Sequence, residues 1–223
     1  KLIEIRLKGD GLAGVIECPP AIQPAAGQYL LGHIPELEEI LSFPLFPAGI
    51  EPPGVSPALQ IAPALPAGWG IGMSVQVRGP FGRGFHLPER ARSVALAAVD
   101  TDLHRLMPLI GQSLAQGAGV AVYTSEPPNH LPPSVEVLPL TVLPESLSWA
   151  DYFALDLPLE RVDEWRSLFG LSPEERCPCR GEVLVRTAMP CGGQALCGVC
   201  SLRTRRGWMY VCRDGPVFDL KDL

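Results

Sequence analysis

Four cysteines near the end of the sequence, Cys191, Cys197, Cys200 and Cys212, have the type and spacing to hold a metal centre. They stand in a C-x5-C-x2-C-x11-C pattern that begins Met189-Pro-Cys191-Gly-Gly-Gln-Ala-Leu-Cys197-Gly-Val-Cys200. Four thiolates can hold the two irons of a [2Fe–2S] cluster, two ligands to each iron. Three close cysteines must wrap a loop around such a cluster, and small residues let the backbone approach its sulfides. Gly192, Gly193, Ala195 and Gly198 supply that freedom, with N–H groups available to sulfur. The fourth cysteine ends a strand-like return, Trp208-Met-Tyr-Val-Cys212. Four cysteines also make a structural zinc site, but zinc ribbons pair two C-x2-C knuckles and only Cys197/Cys200 form one. Buried free thiols are the third reading, and glycine-rich surroundings make odd core material.

The other cysteines are Cys18, in a predicted strand and read as core, and Cys177 and Cys179, which flank a proline and stay unassigned between inert or redox-labile thiols and ligands. Seven cysteines, an odd number, with all but Cys18 beyond residue 176, argue for metal binding in a reducing compartment rather than a disulfide framework. The N-terminus alternates charged and apolar residues, unlike a signal or transit peptide, and Met107 to Ser125 is too interrupted to span a bilayer. The expectation is a cytoplasmic protein without membrane contact. A net charge of −6 argues against nucleic acid. The basic cluster Arg203, Arg205 and Arg206 reads either as a solvated hairpin or as a docking surface for an acidic partner.

The elements that must carry this site fall into three parts. Residues 1–90 read as a small β-barrel or sandwich: Ile3, Ile5 and Leu7 alternate with charged neighbours, Val15–Cys18 and Gln28–Ile34 are strand candidates, and Met73, Val75 and Val77 alternate into a Gly-Pro-Phe-Gly turn. The stretch from Leu41 to Gly68 reads mainly as loop. Residues 91–175 read as an α/β domain: Val94 to Val99 as a buried strand, Leu103 to Leu114 as a helix, Val120 to Thr124 as a second strand, with a parallel sheet implied. Val135 to Leu138 and Tyr152 to Leu155 are further strand candidates, and Leu159 to Phe169 looks helical. Residues 176–223 form the cysteine-rich module. The fold class is thus a β-barrel plus α/β with a small C-terminal [2Fe–2S] module.

These residues resemble a family, the iron–sulfur, FAD-binding electron-transfer subunit of NAD-dependent dihydroorotate dehydrogenase in the ferredoxin-reductase superfamily. Ala26-Gly-Gln-Tyr29 is similar to its P-G-Q-F strand, and Gly72-Met-Ser-Val-Gln-Val-Arg-Gly-Pro-Phe-Gly-Arg-Gly-Phe85 to its G-D-x-V-x-V-x-G-P-x-G-x-G-F segment. Met189-Pro-Cys191-Gly resembles M-A-C-G, and Val211-Cys-Arg-Asp-Gly-Pro-Val-Phe218 resembles V-C-x-D-G-P-V-F. The resemblance implies a ferredoxin-reductase-like architecture, with residues 1–90 a flavin-binding-like β-barrel and residues 91–175 a degenerate nucleotide-binding α/β domain. It also implies electron relay through the cluster, a hetero-oligomer with a catalytic flavoprotein subunit, and a place in pyrimidine biosynthesis. The chain itself would hold no catalytic residue.

The first two cysteines enclose five residues where the family has four, a spacing similar to adrenodoxin-type ferredoxins. The family's Arg-Pro-x-Ser flavin motif aligns with Phe43-Pro44-Leu45-Phe46, which offers neither charge nor hydroxyl, so FAD is expected to be weakened or lost. The family's glycine-rich nucleotide turn is Asp100-Thr-Asp102 here, where a carboxylate would cap the helix and repel phosphate by about 4 kcal/mol at about 4 Å and an effective dielectric of about 20. Its C-G-P turn is replaced by Ala154-Leu-Asp156-Leu-Pro158. NAD binding is not expected. A second reading is a non-enzymatic, degenerate paralogue with a structural or redox-sensing cluster.

Overall fold

The computed structural model of the protein describes residues 1–8, 11–37, 41–125, 131–172, 174–175 and 180–223. Cys177 and Cys179 lie outside them. Strands β1 (Leu2–Lys8), β2 (Gly11–Glu17), β3 (Tyr29–His33), β4 (Phe43–Leu45), β5 (Ala58–Ile61) and β6 (Gln76–Phe81) form two antiparallel three-stranded sheets, ordered β1-β2-β5 and β4-β3-β6. Leu2, Ile16 and Ile61 from one sheet and Leu30 and Leu45 from the other meet in a shared core. The expected alternation in β1 holds only in part. Leu2 is buried and Ile5 packs against the core, while Ile3 and Leu7 face solvent, with a register shift between Leu2 and Glu4 breaking the pattern. The Leu41–Gly68 stretch is mainly loop, as expected, but it also carries the short strands β4 and β5. Both sit at sheet edges, where short strands and Pro44 are tolerated.

The remaining strands build a six-stranded sheet: β7 (Ser93–Ala98), β8 (Gly119–Tyr123), β9 (Val135–Leu138), β10 (Tyr152–Pro158), β11 (Arg180–Arg186) and, beyond the hairpin β12 (Ser201–Thr204) and β13 (Gly207–Tyr210), β14 (Val217–Asp219). Its order is β14-β11-β10-β7-β8-β9, parallel except for β14. The helix between β7 and β8 starts as a 3-10 turn, His104–Leu106, and continues as α1 (Met107–Ala115). After β10 a 3-10 stretch, Leu159–Glu164, leads into α2 (Trp165–Leu168), burying Val162, Trp165 and Phe169. Two strands of the cysteine-rich region, β11 and β14, thereby complete the α/β sheet, so the cysteine loop is interleaved with that sheet rather than appended to it.

Two buried carboxylates fasten the parts together. Glu182 on β11 accepts hydrogen bonds from Arg83 Nη2 at 3.0 Å, His86 N at 2.6 Å and the Tyr152 hydroxyl at 2.6 Å. It thereby holds the glycine turn after β6 against the sheet. Asp156 on β10 is fully buried and pairs with Arg186 at 2.6 Å and Arg105 at 3.5 Å. Arg105 also donates to the Pro63 carbonyl at 2.5 Å and Arg186 to the Val99 carbonyl at 2.6 Å, so the clamp reaches from the sheet to the strand-end loop of the first six strands.

Replacing Asp156 by Ala strands two largely buried guanidinium groups. The expected loss is about 3–5 kcal/mol, read as a lowered urea midpoint with an unchanged slope; an unaltered midpoint would show that the clamp is not needed.

Candidate functional site

The segment between β11 and β12 is shaped by four left-handed residues: Gly192, Gly193 and Gly198, with φ of 62°, 79° and 74°, and Ala195 at 57°. An L-residue pays about 1–2 kcal/mol for that conformation. At Ala195 the return is visible, since its N–H is turned onto the Cys212 sulfur. The N–H groups of Gln194, Leu196 and Cys197 converge on the Cys191 sulfur in the same way. The sequence-based expectation of inward N–H groups thus has a specific form, with three donors on one sulfur and one on another.

The four cysteines come together in two pairs. The Cys197 thiol hydrogen-bonds Cys191, and the Cys212 thiol is bonded to Cys200. Cys191 also lies close enough to act electrostatically on Cys212. Cys200 and Cys212 are buried, Cys191 is half-buried and Cys197 is exposed. Among the described residues, no three His, Cys, Asp or Glu side chains close on one point as a single metal ion requires. Two dithiol pairs facing each other suit a two-iron centre, with one pair per iron, better than one tetrahedral zinc ion. Cys212 sits on a short helical turn, α3 (Val211–Asp214), not on the strand expected for it; β13 stops at Tyr210, whose N–H is taken by Asp214 Oδ2 at 2.8 Å.

The pairs differ electrostatically. Burial opposes ionisation of Cys191, but the N–H groups of Leu196, Cys197 and Gln194 and the Cys197 thiol outweigh it and hold Cys191 down to about 6. Burial and the Cys200 thiol push Cys212 up to about 12. The loop N–H groups thus favour the thiolate at Cys191, whereas burial disfavours it at Cys212.

Strand β3 forms the floor. Tyr29, fully buried, donates its hydroxyl to the Cys212 carbonyl at 2.8 Å. A Cβ on Gly193 would meet the Tyr29 hydroxyl and Leu31 at 3.4 Å, and one on Gly192 would lie 3.6 Å from Arg78 Nη2. Tyr29 entered the sequence reading only as part of a motif, and Arg78 not as a site residue; neither carries a local signal of its role.

A cavity of about 350 Å³ lies between β4 and the end of the parallel sheet, lined by Phe43, Phe46, Pro158, Glu160, Arg105 and Arg186. This is where Phe43-Pro44-Leu45-Phe46 was expected to leave a flavin pyrophosphate without its cation. Arg105 does reach the cavity, 5.8 Å over the Phe46 ring. Both arginines, however, are tied to Asp156 and to backbone carbonyl groups, and β4 contributes only Phe, Pro and Leu. These residues fit a dinucleotide pyrophosphate poorly. At the turn after β7, Asp102 Oδ1 accepts from His104 N at 3.0 Å, and Asp100 pairs with Arg161 at 2.8 Å. A helix-start donor is thus already used by the chain itself.

Residues 187–223 match the iron–sulfur cluster binding domain of dihydroorotate dehydrogenase B. No curated protein sequence matches the chain. Among solved structures, an NADH-dependent reduced ferredoxin-NADP oxidoreductase, described for flavin-based electron bifurcation, superimposes with a TM-score of 0.73 at 14% identity, covering 100% of this chain and 88% of that one. The ferredoxin reductase of carbazole 1,9a-dioxygenase gives 0.60 at 15%, covering 78% and 66%. The flavohem-like FAD/NAD binding domain of nitric oxide dioxygenase from Vibrio cholerae O1 biovar El Tor gives 0.55 at 13%, covering 83% and 97%. The fold is that of the ferredoxin reductases, as the sequence implied. Among the described residues no helix is long and apolar enough to cross a membrane.

Tyr29→Phe removes the donor to the buried Cys212 carbonyl. The expected cost is about 1–3 kcal/mol in urea unfolding, and an undiminished stability would show that the carbonyl finds another donor.

Proposed function

We propose, from the premise that residues 187–223 are an iron–sulfur cluster binding domain on a ferredoxin-reductase-like fold, that the chain is an electron-transfer subunit whose redox centre is a [2Fe–2S] cluster held by Cys191, Cys197, Cys200 and Cys212. The observation that carries this reading is the pairing of the four thiols beneath inward N–H groups. When bound, the cluster supplies one-electron transfer. The chain's own residues hold and tune it. Gln194, Leu196 and Cys197 N–H groups stabilise negative charge at Cys191, and the Ala195 N–H does so at Cys212, which favours the reduced state. Tyr29 and Leu31 close the inner side against water.

The partner we infer is a catalytic flavoprotein of the dihydroorotate dehydrogenase type, supported by the kind of protein whose cluster domain residues 187–223 match. In this reading FAD is held weakly or not at all, since the arginines of the β4 cavity are committed to Asp156, and NAD is not bound at the Asp100–Asp102 turn. The same two features motivate the alternative of a degenerate paralogue with a structural or sensing cluster. A cluster that titrates reversibly and passes electrons to a dihydroorotate dehydrogenase catalytic subunit decides for relay; one that breaks down on reduction decides for the alternative.

Anaerobically purified protein is expected to be brown, with iron and acid-labile sulfide in equal amounts. Changing Cys191, Cys197, Cys200 or Cys212 singly to Ala removes most of the iron, and Cys18→Ala leaves it. Colourless protein, or iron retained after Cys212→Ala, would refute the assignment. Flavin extracted after incubation with excess FAD is expected well below one per chain; stoichiometric FAD would overturn the reading of Phe43 to Phe46.

A further inference from the structure

We propose that the outer face of the cysteine loop, together with the β12–β13 hairpin, is the docking site for an acidic redox protein. This rests on the cluster reading above and adds the chemistry of the partner. From Val183 to Arg213 every Asp, Glu, Lys or Arg is an arginine, on a chain whose net charge is −6. The hairpin register sets Arg203 directly opposite Trp208, and Ser201 opposite Tyr210 one step nearer the loop. Trp208 is 70% exposed. Arg213 lies 5.0 Å from the centre of the Tyr210 ring, next to Cys212. On the barrel side Arg78 borders Gly192. Among the described residues Arg206 is held by Asp222 and Arg213 by Asp214, whereas no carboxylate pairs with Arg78, Arg203 or Arg205.

Apolar contacts complete the face. Leu196 and Val199, 78% and 52% exposed, stand on either side of the exposed Cys197. Among the described residues the chain thus offers apolar tips beside its exposed cysteine, with the arginines of the following hairpin and Arg78 on the same part of the molecule. Exposed apolar groups with a charged rim mark interaction sites, Trp and Arg are favoured at their centres, and complementary charge steers the encounter. An acidic partner fits these arginines, and the acidic remainder of the chain would repel it from other approaches.

The test uses holo-protein reduced without oxygen and mixed in stopped flow with ferricyanide or with hexaamminecobalt(III); each takes one electron from the reduced cluster, which regains its colour as it is oxidised. The expected result is that oxidation by ferricyanide slows as ionic strength rises, although the chain is acidic overall, and that Arg203→Glu/Arg205→Glu slows it about tenfold at low salt while speeding oxidation by the cobalt complex. Arg90→Glu, exposed just before β7 and so at the end of the parallel strands opposite to Arg186, should change both rates less. An acidic plant-type ferredoxin serves as the protein probe, and its affinity should fall in the double variant. The proposal is overturned if the ferricyanide rate rises with salt, if the double variant binds the ferredoxin as well as the parent does, or if sedimentation shows a dimer that the double variant splits. Absence of iron in the starting protein would instead sink the cluster assignment before any rate is measured.

Discussion

A thiolate-bound cluster demands backbone donors facing inward from a loop too short to form regular structure. Here the stretch from Cys191 to Cys200 meets that demand by visiting the left-handed region repeatedly, at three glycines and at Ala195. Such a loop has little stability of its own, so it must be held from outside. The Tyr29 hydroxyl on the Cys212 carbonyl and the close approach of Gly193 to β3 provide that hold. Placement of the thiols therefore depends on the first six strands as much as on the cysteine-rich segment.

The two buried carboxylates extend the same constraint through the molecule. Glu182 gathers Arg83, His86 and Tyr152, and Asp156 gathers Arg105 and Arg186. Each is costly to bury and is offset by multiple donors. Asp156 also occupies the end of the central parallel strand, where α/β folds place ligands. Its arginines are committed to holding the structure together at that end of the sheet. Fold by itself therefore does not fix activity.

Electrostatics divide the surface in a similar way. The carboxylates that make the chain acidic lie outside the Val183–Arg213 stretch, while the arginines there surround the cysteines. The exposed thiol is at the basic, apolar face, and the buried pair Cys200/Cys212 is at the tyrosine side. A centre built this way has an inner wall that excludes water and an outer edge open to an acceptor.

The sequence by itself pointed to an iron–sulfur site, because cysteine spacing and glycine content act locally: a loop that wraps a cluster must be short and small-residued wherever it is placed. It also determined the order of strands then α/β, since the alternation and apolar runs of β2, β3, β7, β8 and β10 are strong. Tertiary structure decided what local pattern cannot express. The register shift after Leu2 buries Leu2 in place of Ile3, and edge positions make strands of Phe43–Leu45 and Ala58–Ile61 within a proline-rich stretch. The pairing of Cys191 with Cys197 and of Cys200 with Cys212, the arrival of Tyr29 beneath them and the clamp on Asp156 join residues up to 183 positions apart. Contacts at that separation depend on how whole sheets pack, and no window of sequence contains both partners.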